Sequence, residues 1–139
     1  LSSHVWWAGI QEGRFTPGDD ENFEWYDDLA EAIAELKEEG GKGILFYLFD
    51  AQADRESEAS RILQTVTLQD PMVRRLGRQL TPVMVDKRGN APALAKLGVP
   101  AMATPAIVLF GADGKQRAAF SGRIDVKALR AALQDITKR

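Results

Sequence analysis

The feature that most limits how this chain folds is its longest unbroken apolar run, the six residues from Ile44 to Phe49. It lies between Gly43 and Asp50 and carries three aromatics, Phe46, Tyr47 and Phe49. An uninterrupted apolar stretch this short predicts a strand covered on both faces, the central position of a sheet with helices above and below. It is far too short to cross a bilayer, which takes about 20 apolar residues in a helix.

The rest of the chain supplies those covering helices. Leu29, Ile33 and Leu36 recur at helical spacing, so a helix is expected over residues 26–39, capped by Asp27 or Asp28 and stopped by Gly40 and Gly41. A second begins near Ser57, carries Ile62, Leu63 and Val66, and ends near Leu68. Asp70 and Pro71 open a further helical turn with Met72, Val73 and Leu76. Residues 82–85 read as a second strand and residues 91–97 as a short helix stopped by Gly98. Residues 106–110 form a third strand. Ala112, Asp113 and Gly114 are a hairpin signal leading to a fourth strand over 117–121. Asp125 caps a last helix over 126–136, with Val126, Leu129, Leu133 and Ile136 on one face. Helices between the early strands imply parallel crossovers, and the hairpin makes the last pair antiparallel. The expected class is α/β, a mixed sheet of about four strands flanked by helices. Residues 1–22 read as an N-terminal arm whose Val5, Trp6 and Trp7 either pack on a domain spanning 23–139 or mark a contact surface.

The 139 residues fit one domain. With 18 Lys and Arg against 20 Asp and Glu, the net charge of −2 provides no global basic field for nucleic acid or an anionic membrane. There is no cysteine, hence no disulfide, thiolate nucleophile or Cys-based metal site in the chain as written. One histidine, His4, excludes a multi-His site. No cofactor and no metal are expected. A chain opening on Leu1 rather than Met reads as one whose first segment was removed, so a lost export signal or anchor would leave no trace.

Three stretches carry a resemblance to a known family. The first runs from Val99 through Thr104 and Pro105 into Ala106–Phe110 and the turn at Ala112–Lys115. The second runs from Ser60 to the Asp70, Pro71, Met72, Val73 turn. The third is Lys42 to Phe49, followed by Pro82 to Asp86. Together they make residues 25–136, some four fifths of the chain, resemble the thioredoxin superfamily, and within it the exported bacterial thiol–disulfide oxidoreductases. The resemblance implies that Pro105 is a cis proline opening a strand beside a peptide-binding groove. It implies that Thr104, Pro105 and Glu56 line that groove, and that Ser57, Glu58, Ala59 and Ser60 occupy the redox Cys-x-x-Cys motif. Two departures stand out. The loop from Phe49 to Ser57 is a few residues longer than in thioredoxin, and Tyr47 falls where thioredoxin keeps a buried acid used for proton transfer. Glu56 replaces the tryptophan that usually precedes the first cysteine. The compartment implied is periplasmic or otherwise extracytoplasmic.

The redox motif works because a sulfur at a helix N-terminus is stabilised as thiolate, and a second sulfur three residues on resolves the mixed disulfide. A serine hydroxyl is nearly isosteric but stays protonated at neutral pH, so Ser57 and Ser60 neither attack nor form a disulfide. Two explanations stand side by side. In one, the parent is a thiol–disulfide oxidoreductase, acting on protein or small-molecule disulfides, with serine here in place of both cysteines. In the other, this is a naturally redox-inactive module that docks a polypeptide in the same groove, flanked by Trp6, Trp7 and Glu56. A plainer reading of both serines is as helix caps. As hydrolase nucleophiles they lack a base near in sequence. The acidic residues Asp50, Asp54, Glu56 and Glu58 have no EF-hand spacing and read as a solvated loop. Arg74, Arg75 and Arg78 read as a solvated basic face.

Overall fold

The computed structural model describes residues 23, 25–39, 41–54 and 57–138. Residues 1–22, read above as an arm with His4, Trp6 and Trp7, and Glu56, read above as lining a groove, lie outside the described residues. The elements are α1 (Leu29–Glu39), β1 (Gly43–Phe49) and α2 (Glu58–Ile62), which runs straight into a π-helical turn (Leu63–Thr67). There follow α3 (Pro71–Gly77), β2 (Thr81–Asp86), α4 (Ala91–Lys96), β3 (Ala106–Gly111), β4 (Gln116–Ser121) and α5 (Val126–Thr137).

The four strands form one sheet in the order β2-β1-β3-β4. The apolar run is central, as its composition demands, and Ile44 to Leu48 are all buried. β1 is parallel to β2, with Phe46 opposite Val83, and antiparallel to β3, with Phe46 opposite Val108. Here the expected parallel crossovers need correction. Only β1 and β2 pair in parallel. The chain through α4 returns across the sheet and lays β3 antiparallel on the far side of β1, with β4 following as a hairpin.

Alternate residues of β1 serve two cores, because side chains alternate faces along a strand. Leu45 and Tyr47 face a layer containing Leu63, Val73, Leu129, Leu133 and Ile136. Ile44, Phe46 and Leu48 face Ala32, Ile33 and Leu36 of α1 and Leu94 of α4. The helices therefore divide, with α2, α3 and α5 on one face and α1 and α4 on the other.

Three local readings are revised. α1 begins at Leu29, not residue 26, with Asp28 as its cap, its Oδ1 accepting from the Glu31 N–H at 3.0 Å. Tyr26 instead extends the sheet beyond β2. Its N–H donates to the Pro82 carbonyl and its carbonyl accepts from the Met84 N–H, both at 2.9 Å. The plain helix carrying Ile62, Leu63 and Val66 turns π-helical from Leu63, and Val66 is 60% exposed. The π-helical turn adds a residue to the repeat, so Leu63, Thr67 and Leu68 turn inward and Val66 turns out.

Two glycines are dictated by close approach. A Cβ on Gly43 would lie 2.0 Å from the Phe110 carbonyl oxygen, so the strand pair closes only without one. A Cβ on Gly77 would lie 2.6 Å from the Phe23 ring, which packs against Trp25 with 5.1 Å between centroids.

Candidate functional site

The site is built where β1 leaves the sheet. Asp50 ends the strand, and its carboxylate organises the following turn. Oδ1 accepts from the Gln52 and Ala53 N–H groups, each at 3.0 Å, and from Arg88 Nε at 2.7 Å. The Asp50 N–H in turn donates to Asp54 Oδ2 at 2.8 Å. These bonds, led by that from Ala53, hold the Asp50 carboxyl below the usual carboxylate range. The acidic stretch is thus not simply a solvated loop. Asp50 is buried and fixes the turn that delivers the chain to Ser57.

Ser57 is the N-cap of α2, with extended backbone angles (φ −69°, ψ 129°) and its Oγ accepting from the Ser60 N–H at 3.2 Å. This is ordinary capping chemistry, satisfying one of the free donors of a helix start. Ser60 is different. It is only 3% exposed, and its Oγ has no hydrogen-bond partner among the described residues. A buried hydroxyl left in that state forfeits its hydration for nothing, at a cost of about 1–3 kcal/mol. A thiol at the same place gives up far less, since buried cysteine behaves as a small hydrophobe.

Beneath this helix lies Tyr47, fully buried, its ring edge-on to Trp25 at 5.5 Å and its hydroxyl accepting from Gln64 Nε2 at 3.3 Å. Burial pushes the phenol well above its ordinary pKa, partly offset by the Gln64 bond. It stays protonated at neutral pH, so this position offers no carboxylate base.

The second segment leads into β3. The peptide bond between Thr104 and Pro105 is cis. Pro105 is buried and Thr104 half-buried. The flanking carbonyls are engaged by the end of β4 and the residue after it: Ser121 Oγ donates to the Ala103 oxygen at 2.6 Å, and the Gly122 N–H to the Pro105 oxygen at 2.9 Å. Thr104's own N–H and C=O make no hydrogen bond among the described residues.

One contact joins the two halves. Arg123, directly after Gly122, reaches across to Glu58 in the first turn of α2 and forms an ion pair. Glu58 lies next to Ser57 in sequence, so the serine-bearing turn and the Thr104–Pro105 segment are tied through Arg123 and Gly122. Sequence reasoning missed Arg123 altogether. It sits 65 residues from Glu58, in no motif, and only the tertiary fold brings them together. The Arg74, Arg75 and Arg78 face stays apart, on and just after α3.

Neither a protein-family model nor a curated protein matches the chain. Solved structures do. The structure described as "DsbH Oxidoreductase" superposes with a TM-score of 0.60 at 22% identity, covering 86% of this chain and 90% of its own. A thioredoxin from Thermus thermophilus gives 0.64 at 18% identity, covering 84% of this chain and 88% of its own. A disulphide isomerase from Xylella fastidiosa Temecula1 gives 0.59 at 19% identity, covering 83% of this chain and 95% of its own. At such identities the likeness speaks for architecture. It agrees with the sheet order, the two-sided helix cover and the mixed strand directions described above, and the chain accordingly has a thioredoxin-like α/β fold.

Proposed function

We propose that this chain is a redox-silent thiol–disulfide oxidoreductase scaffold, in which the hydroxyls of Ser57 and Ser60 stand where the parent enzyme carries its sulfur pair. The observation that carries the reading is the Ser60 hydroxyl, buried without a partner among the described residues. Selection for serine at a buried helix position supplies an acceptor for it; a position shaped around a thiol does not. The spacing adds support, since Ser57 caps the helix, where a thiolate is stabilised by the helix start. Two of the structural neighbours bear names of this chemistry, an oxidoreductase and a disulphide isomerase.

In the parent, a thiolate at position 57 attacks a substrate disulfide and one substrate sulfur leaves. The thiol at position 60 then displaces the second, leaving the protein oxidised and the substrate reduced. With serine at both positions no step of that sequence takes place. The test is dithiothreitol-driven insulin reduction. The chain as written accelerates it no more than buffer does, and the S57C/S60C variant accelerates it clearly. An S57C/S60C variant that folds but remains inactive overturns the assignment.

A second reading is favoured by a separate feature, the backbone groups of Thr104, which make no hydrogen bond among the described residues and lie between two engaged carbonyls. An extended polypeptide pairs with such groups as an added strand does. On this reading the groove of Thr104, Pro105 and Glu56 docks a polypeptide without turnover. The compartment that accompanies both readings is extracytoplasmic, supported by the resemblance to exported oxidoreductases. No helix among the described residues is long and apolar enough to cross a membrane.

A further inference from the structure

The Glu58–Arg123 ion pair serves neither helix capping nor the core. Glu58 is 61% exposed and Arg123 68% exposed on their side chains, so the contact hides little surface and adds little to stability. Its placement is what sets it apart. One end is anchored on α2 next to Ser57. The other is anchored just after Ser121 and Gly122, which hold the Ala103 and Pro105 carbonyls. Beside one anchor is the Ser57 hydroxyl, and beside the other, between the two held carbonyls, is the Thr104 backbone, the two features a docked main chain must reach.

We infer that Glu58 and Arg123 form a clasp across the groove, which an extended polypeptide must open before it pairs with Thr104 and reaches position 57. This rests on the docking reading above. Its strength suits an access control. An exposed ion pair is weak, enough to bias the closed state without locking it, and salt weakens it further. Each charge is neutralised by the other, so the clasp opposes any entering main chain rather than selecting one sign of side chain.

The test uses the S57C variant, which keeps Ser60 and has one thiol. Its thiolate attacks the peptide sulfur of an uncharged, unstructured peptide whose cysteine is capped with thiopyridine. The capping S–S bond breaks, thiopyridone leaves and is read by absorbance, and a protein–peptide disulfide forms. Dithiodipyridine is the small-probe control. If the clasp is real, the rate saturates with peptide concentration, and adding Arg123→Ala or Glu58→Gln lowers the half-saturating concentration about two- to fivefold. Raised salt narrows that gap. Any effect on the thiol's own reactivity appears equally with dithiodipyridine and leaves half-saturation unmoved. Equal half-saturation with and without the pair overturns the clasp while the docking reading stands. A rate linear in peptide concentration in every variant overturns the docking reading and the clasp with it.

Discussion

Ser57 and Ser60 share a residue type and a helix, yet their surroundings give them opposite energetic roles. Ser57→Ala removes the cap and is expected to cost about 0.5–2 kcal/mol. Ser60→Ala removes a buried hydroxyl that has no partner among the described residues and is expected to leave stability unchanged or raise it by about 1 kcal/mol. Urea unfolding of both variants checks the contrast, and a Ser60→Ala loss as large as that of Ser57→Ala contradicts it. The cap was legible in the sequence, because Ser before a helix start is a local signal. The stranded hydroxyl was not, because its burial depends on residues far along the chain. Asp70 is a second case. It caps α3, accepting from the Met72 and Val73 N–H groups at 3.1 Å, and Arg130 of α5 donates to it from Nε at 3.0 Å. The Arg130 bond leads in pulling its pKa from 3.8 down to about 2. A depressed carboxyl stabilises the fold at pH above its unfolded value, and that contribution fades as pH falls through the folded one. Asp70→Asn is therefore expected to unfold with a shallower pH dependence between pH 3.8 and about 2 than the parent chain. Equal slopes in acid titrations of the two proteins sink the claim.

Among the elements, the π-helical turn after α2 is the one that a repeat-based reading cannot find. Residues 57–68 carry apolar positions, Ile62, Leu63 and Val66, that fit a plain helix. The extra residue of the turn rotates Val66 outward and seats Thr67 in the core. Val66→Ser is thus expected to change stability by no more than about 0.5 kcal/mol, the range of ordinary surface positions. A loss of about 2 kcal/mol or more, typical of a truncated core side chain, restores the straight-helix reading. Tyr26 was misread for a related reason. Its neighbours continue a helical pattern, and what captures it is the free edge of β2, which local sequence does not describe. α3 depends on Gly77 in a way that opposes helix propensity. Gly77→Ala gains propensity but drives a methyl into the Phe23 ring, so a net loss of about 1–3 kcal/mol is expected. Combining it with Phe23→Leu recovers part of that loss if the ring is the obstacle. Calorimetry on the single and double variants reads it, and simple additivity excludes the clash.

At the scale of the whole molecule, the central strand, the hairpin and the two-sided helix cover followed from apolar patterning and turn chemistry. The direction of β3 did not. A helix between two strands signals a parallel crossover only when it returns the chain to the end of the sheet where the first strand began, and here the chain after α4 enters β3 from the opposite end, antiparallel to β1. The same geometry assembles the site from segments far apart in sequence, the turn at Ser57, the Thr104–Pro105 segment and Arg123. The direct test of whether positions 57 and 60 are seats for sulfur is the thiol–disulfide equilibrium of the S57C/S60C variant in glutathione buffers, read by thiol trapping and mass. A reversible intramolecular disulfide is expected, with a potential within the range of about −120 to −270 mV spanned by enzymes of this chemistry. Two thiols that never pair within one chain, in a variant that unfolds as cooperatively as its parent, contradict the account.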